Sequence, residues 1–168
     1  MLATIGYERA ELSDFVATLT ACDVEVLVDI RDRAQSRRPG FSKTALSKAL
    51  ADVGISYLHI RELGDPKEGR EAARAGNFAK FRRIFATIME SEPGKKALSD
   101  LEALTLDNNI CLMCYEREQL TCHRKIVAEH LEVTLQKKAR HIGVREGAAR
   151  CTTAGRMHHS YKSAASSI

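Results

Sequence analysis

Asn109 to Lys125 reads NICLMCYEREQLTCHRK. Its apolar run, Ile110 to Tyr115, ends at Glu116, crosses a short polar loop and restarts at Cys122, His123, Arg124 and Lys125. Ile126 to Leu131 then carry apolar residues at helical spacing. The stretch predicts a buried strand feeding a helix whose first turn holds a thiol, an imidazole and two cations. Free backbone N–H groups make a helix start favour Asp and Glu. A basic first turn is therefore unfavourable unless an anion lies against it.

The same alternation extends outward in both directions. Leu2 to Gly6 reads as a strand, and Leu12 to Cys22 as a helix with Phe15, Val16, Leu19 and Cys22 on one face, capped at or near Ser13. EVLVDIR, Glu25 to Arg31, is apolar except at its ends, as a strand buried on both faces requires. A basic loop, RDRAQSRRPGF, leads to Ser42 as N-cap of a helix carrying Leu46, Leu50 and Val53 and closed by Gly54. Ile55 to Ile60 is a third strand, followed by a polar loop, RELGDPKEGREAARAGN. A helix follows with Phe78, Phe81, Ile84, Phe85 and Ile88 on one side. Pro93–Gly94 punctuates it, and a second helix is expected over Lys95 to Leu106. Asn109 to Glu116 is the fourth strand and Thr121 to Val133 the last helix. This order predicts an α/β fold, a mostly parallel sheet covered by helices on both faces.

Leu135, Ile142 and Val144 suit a short edge strand, and from Arg145 the apolar periodicity ends. We therefore expect a single α/β domain over 1–144 and a disordered basic tail over 145–168.

Composition fits one globular domain: 168 residues, 44% hydrophobic and 29% charged. No apolar stretch approaches the ~20 residues that span a bilayer. The start, MLATIGYERA, has neither a basic n-region nor a long apolar h-region, so secretion is not expected. Five irregularly spaced cysteines fit a reducing compartment, and a cytoplasmic location is expected. The net charge of +4 is unevenly distributed: residues 1–132 hold 19 basic and 21 acidic residues, whereas 133–168 hold seven and one. A globally basic nucleic-acid-binding face is thus unsupported, while a local basic site is not excluded.

In an open parallel sheet, ligands bind outside the carboxyl ends of the strands. The residues expected there are Tyr7 and Glu8, Asp29 and Arg31, His59, Arg61 and Glu62, and Glu116. Cys111 and Cys114 form a CxxC, but residues three apart on a strand face opposite ways. No metal is therefore expected of that pair, although Cys114 can project toward the CHR turn. Cys122, at a helix start beside His123 and Arg124, is a candidate nucleophile through a lowered thiol pKa, or else a packed core thiol. Six residues after Cys114 comes Leu120 and six after Cys122 comes Ala128, not arginine, which disfavours a phosphocysteine mechanism at either thiol. Arg124 is a candidate anion ligand, His123 an acid or base, and Glu116 an orienting carboxylate. The loop after the second strand adds Arg31, Arg33, Arg37, Arg38 and Lys43, with Phe41 available for stacking or packing, a pairing compatible with a nucleotide or single-stranded nucleic acid. His158–His159 is uninformative.

TIGY (Thr4 to Tyr7), VDIR (Val28 to Arg31) with Ser36–Arg37 and Phe41, GISY (Gly54 to Tyr57), ELG (Glu62 to Gly64) and CYE…CHR (Cys114 to Arg124) occur in that order. This set resembles the domain-of-unknown-function family 488 over about residues 3–133. The chain departs from the pattern at Ala34, where proline is frequent, and at Asp65, where a second glycine is common. The resemblance implies a Rossmann-like three-layer domain and names no activity. Its recurring motifs fall on Asp29, Arg31, Ser36, Arg37, Cys114, Glu116, Cys122, His123 and Arg124.

The expectation is a phosphate-recognising pocket acting on or sensing a nucleotide or nucleic acid, bound by Tyr7, Asp29, Arg31, Ser36, Arg37, Phe41, Cys114 and Arg124. Cys122, His123 and Glu116 would supply any chemistry. A non-catalytic nucleic-acid-binding module and a thiol enzyme or redox sensor using Cys122 stand as alternatives. The residues name no cofactor, and no membrane partner is expected.

Overall fold

The computed structural model describes residues 1–150. Five parallel strands, β1 (Leu2–Gly6), β2 (Val26–Asp29), β3 (Ser56–His59), β4 (Ile110–Cys114) and β5 (Arg140–Ile142), form one sheet in the order β3-β2-β4-β1-β5. Six helices connect them: α1 (Leu12–Ala21), α2 (Lys43–Ala51), α3 (Lys67–Arg74), α4 (Phe78–Glu90), α5 (Glu92–Asp107) and α6 (His123–Leu135). The architecture is a Rossmann-like three-layer sandwich.

The period-two alternation of side chains divides the core. Val26, Val28, Ile110 and Leu112 face α4, α5 and α6 through Phe85, Leu98, Leu101, Val127 and Leu131. Leu27, Cys111 and Met113 face the other way, against Phe15, Leu19, Leu46 and Leu50 of α1 and α2. Each fully buried leucine or phenylalanine stabilises the fold by about 1.5–3 kcal/mol. Because β2 and β4 are covered on both sides, the apolar runs seen in the sequence are what this topology demands.

The chain leaves β1 and β2 toward the α1/α2 face but leaves β4 toward the α6 face. Opposite exits from neighbouring strands open a crevice at their carboxyl ends. That is where β4 delivers Cys114.

Four local expectations are corrected. The polar segment 61–77 is not a loop throughout: Lys67–Arg74 is a helix, and only Gly69 and Ala72 are buried in it. Pro93 does not break the chain ahead of a helix at Lys95. It sits in the first turn of α5, with Ser91 Oγ accepting from the Gly94 amide at 3.1 Å. Ser42 occupies the N-cap position of α2, but its hydroxyl makes no cap bond; it accepts from the Ser36 amide at 3.1 Å instead. Val53 lies beyond α2 and is exposed.

No helix of the described residues is long and apolar enough to cross a membrane. Residues 145–150 turn back onto α1, where the Gly147 and Ala149 amides donate to the Asp14 carboxylate at 2.8 and 3.1 Å. The remainder of the tail, with His158–His159, lies outside the described residues.

Candidate functional site

Segments after β1, β2 and β4, together with α3, wall a pocket of about 480 Å³ at the carboxyl edge of the sheet. It is built in three tiers.

The deepest tier is a buried ion pair. Asp29, at the end of β2, is fully buried, and its carboxylate accepts from Arg31 Nε at 2.8 Å and Nη2 at 2.6 Å. The Tyr57 hydroxyl also donates to it at 2.5 Å, and Arg31 Nη1 donates to the Tyr7 hydroxyl at 2.7 Å. Burial works against the Arg31 charge, but the two-point contact with Asp29 holds the guanidinium protonated above its ordinary range. Burial and the Asp29 charge raise the Tyr57 phenol.

The second tier joins the end of β4 to the start of α6. Cys114 Sγ and Cys122 Sγ both donate to Glu116 Oε2, at 2.9 and 3.3 Å. His123 Nδ1 lies 3.6 Å from the Cys114 sulfur and 3.8 Å from that of Cys122, while its Nε2 contacts the Ile30 carbonyl at 2.8 Å. One ring nitrogen is thus fixed to the backbone and the other is turned to the sulfurs. Burial opposes the charge of Glu116, yet the thiol bonds and the nearby imidazole keep its carboxyl below the usual range. Burial pushes both thiols up, Cys122 most strongly. Burial also opposes the His123 charge, but the adjoining Cys122 sulfur, the Ile30 carbonyl and Asp65 raise its pKa to about 9.

The outer tier is basic. Arg33, Arg37 and Arg38 from the loop after β2 face Arg70 and Arg74 of α3 across the pocket. Arg38 donates to the Ala10 carbonyl, and Arg70 to the Asp65 carbonyl. Arg37 and Arg74 are exposed, with no partner among the described residues. Asp65 is buried in the wall; burial raises its carboxyl to about 6, and its Oδ1 has no hydrogen-bond partner.

The structure gathers Tyr7, Arg31, Ser36, Arg37, Cys114, Glu116 and His123 on this pocket, with Asp29 and Cys122 directly behind them. Two expected ligands are placed elsewhere. Arg124 is buried beneath the β4–α6 loop, where its guanidinium donates to the Glu116 carbonyl and, at 2.9 Å, to that of Arg117. The basic first turn of α6 is therefore relieved from within, by backbone carbonyls and by Lys125 pairing with Glu129, rather than by an anion at Arg124. Phe41 is fully buried and stacks on Tyr7 with centroids 4.4 Å apart, so its face is already covered. Ser36 shapes the basic loop: its amide donates to Ser42 and its hydroxyl accepts from the Arg38 amide.

The sequence reading missed Asp65, Arg70 and Arg74 because they belong to the segment taken as loop. It also missed Tyr57, whose hydroxyl binds Asp29 from the edge strand β3. A usable signal lay in Lys67 and Glu71, a helical i,i+4 pair that forms the expected salt bridge at 3.7 Å.

Cys122 illustrates competition between two effects. A helix start lowers a thiol pKa, but full burial raises it, and here burial wins. At pH 7 the native, reduced protein should therefore expose Cys22 to a small thiol reagent, while Cys111, Cys114 and Cys122 react only on unfolding in urea. A native-state rate at Cys122 close to that of a model thiol would reverse this assignment.

A family model described as "Domain of unknown function DUF488" matches residues 11–131. No curated protein and no solved structure matches the chain.

Proposed function

The chain belongs to the DUF488 family, and from that premise we propose that its pocket binds a phosphate-bearing small molecule of nucleotide size. The observation that carries this reading is the charge of the lining: six arginines, Arg31, Arg33, Arg37, Arg38, Arg70 and Arg74, against three carboxylates, Asp32, Asp65 and Glu116. Arg31, Arg33, Arg38 and Arg70 have carboxylate partners in Asp29, Asp32 and Glu11, which leaves Arg37 and Arg74 as the cations open to a bound anion, and guanidinium groups match phosphate in two-point geometry. A volume of about 480 Å³ suits a nucleotide. Tyr7 and Tyr115 meet edge to face at 5.4 Å beside it, and Tyr115 is exposed and able to take a base. The irregular cysteines support a reducing, cytoplasmic setting.

Thermal unfolding against phosphate, mononucleotides, dinucleotides and short single-stranded oligonucleotides tests this, with wild type beside Arg37→Ala/Arg74→Ala. A ligand at ~100 times its dissociation constant adds about 2.7 kcal/mol, which raises Tm by about 5–10 °C in a domain of this size. We expect a mononucleotide or dinucleotide to produce the shift and the double variant to lose it. A shift with oligonucleotides alone, falling steeply with salt, would favour the nucleic-acid-binding module instead. No shift with any of these ligands would remove the anion reading.

A further inference from the structure

The second tier contains more donor atoms than its hydrogen bonds account for. Cys114 Sγ, Cys122 Sγ and a His123 ring nitrogen lie within 4.8 Å of one another, and all three residues are buried. Glu116 Oε2 lies against both sulfurs. Two thiols, an imidazole nitrogen and a carboxylate oxygen thus converge on one centre from two segments eight residues apart. Thiols are weak hydrogen-bond donors, and they are an unusual choice as the main partners of a carboxylate.

The geometry points to a divalent zinc site held by Cys114, Cys122, His123 and Glu116. A tetrahedral zinc ion, with Zn–S of about 2.3 Å and Zn–N of about 2.0–2.1 Å, places sulfur and nitrogen about 3.6 Å apart. The two Sγ···Nδ1 separations here are 3.6 and 3.8 Å. The Glu116 oxygen is closer to the sulfurs than a shared ion requires, so its side chain must move outward by a few tenths of an ångström. It is half-buried and borders the pocket, which leaves room for that movement.

The surroundings match as well. Metal-binding histidines orient one nitrogen by hydrogen-bonding the other to a carbonyl or carboxylate, and His123 Nε2 lies 2.8 Å from the Ile30 carbonyl. Arg124 holds the Glu116 and Arg117 carbonyls, fixing the loop that joins the donors. Cys111 takes no part, because it faces the opposite side of the sheet. Two thiolates, an imidazole and tetrahedral spacing select zinc over magnesium or calcium, which prefer oxygen.

Binding replaces protons: each thiol releases one as its sulfur joins the ion, and His123 releases one if it is charged. Glu116, Cys114 and His123 border the pocket and Cys122 lies behind it. The zinc would therefore sit in the floor beneath the arginines, with Glu116 as the ligand nearest the opening. Neither the site nor its test depends on the anion reading.

The test uses full-length reduced protein, stripped with a chelator and titrated with zinc alone against a colorimetric competitor, then with cobalt(II). We expect one zinc per chain and a cobalt complex whose charge-transfer band corresponds to two thiolates. Cys114→Ser and Cys122→Ser should each weaken binding by at least ~100-fold, whereas Cys22→Ser should leave it unchanged. The cobalt spectrum of the wild-type protein decides the matter even where a serine variant fails to fold. A spectrum with one thiolate or none, binding that survives loss of both cysteines, or no saturable binding at one per chain overturns the proposal.

Discussion

Replacing Asp29 with alanine is expected to cost the fold about 3–5 kcal/mol, the usual penalty for stranding one half of a buried ion pair. The carboxylate is fully buried, and only the Tyr7 hydroxyl would remain as a side-chain partner of Arg31. Domains are stable by only about 5–15 kcal/mol, and Tm should fall by about 6–20 °C. Urea unfolding of Asp29→Ala, Arg31→Met and the double variant provides the measurement. The double variant should recover much of the loss, because removing both charges removes the desolvation penalty with the attraction. Tyr57→Phe removes one hydrogen bond to Asp29 and should cost less, about 1–2 kcal/mol. A loss below ~1 kcal/mol in Asp29→Ala would mean that water reaches the pair.

The second large effect is expected at Gly6. A Cβ there would meet the Glu116 carbonyl oxygen at 1.8 Å, its carbon at 2.7 Å and the Arg117 Cα at 3.1 Å. All three atoms are backbone, and the Arg124 guanidinium grips the same carbonyl, so the loop cannot yield cheaply. Gly6→Ala should cost about 3 kcal/mol or more, at the upper end of overpacking. It should also displace Glu116 from the two thiols. Gly54→Ala is the contrast: nothing lies within 4 Å of its Cβ, and only the left-handed backbone, with φ at 78°, opposes the change. It should cost about 1–2 kcal/mol. Comparable urea midpoints for the two variants would refute close approach as the reason for glycine at position 6.

The fold was legible where burial leaves a long apolar signature. EVLVDIR and NICLMCY are continuous because β2 and β4 lie between helices on both faces, and Phe81 and Phe85 mark the buried side of α4. The segment that became α3 carried no such mark: KEGREAAR buries only Gly69 and Ala72, and what recommends it as a helix is propensity and charge spacing. That omission carried over to the site, since Arg70 and Arg74 form one wall of the pocket.

Residue types at strand ends placed Tyr7, Arg31 and Glu116 at one rim, where they line the pocket, but Glu8, His59, Arg61 and Glu62, expected beside them, do not line it. Residue types could not predict direction. Whether an arginine at a helix start faces an anion or turns under its own loop depends on which carbonyls lie within reach. Arg124 found two. Likewise, the sequence placed Cys122 at a helix start but did not reveal how deeply it would be covered.

The tyrosines have a practical consequence. The chain has no tryptophan and four tyrosines. Tyr7 and Tyr115 meet at the pocket, and Tyr57 is bonded to the carboxylate beneath it, while Tyr161 lies outside the described residues. Among the described residues, every tyrosine therefore lies at the pocket or its foundations. A change in tyrosine emission is the signal expected on binding if the pocket takes the proposed ligand, and the wavelength chosen for concentration measurements doubles as a window on that region.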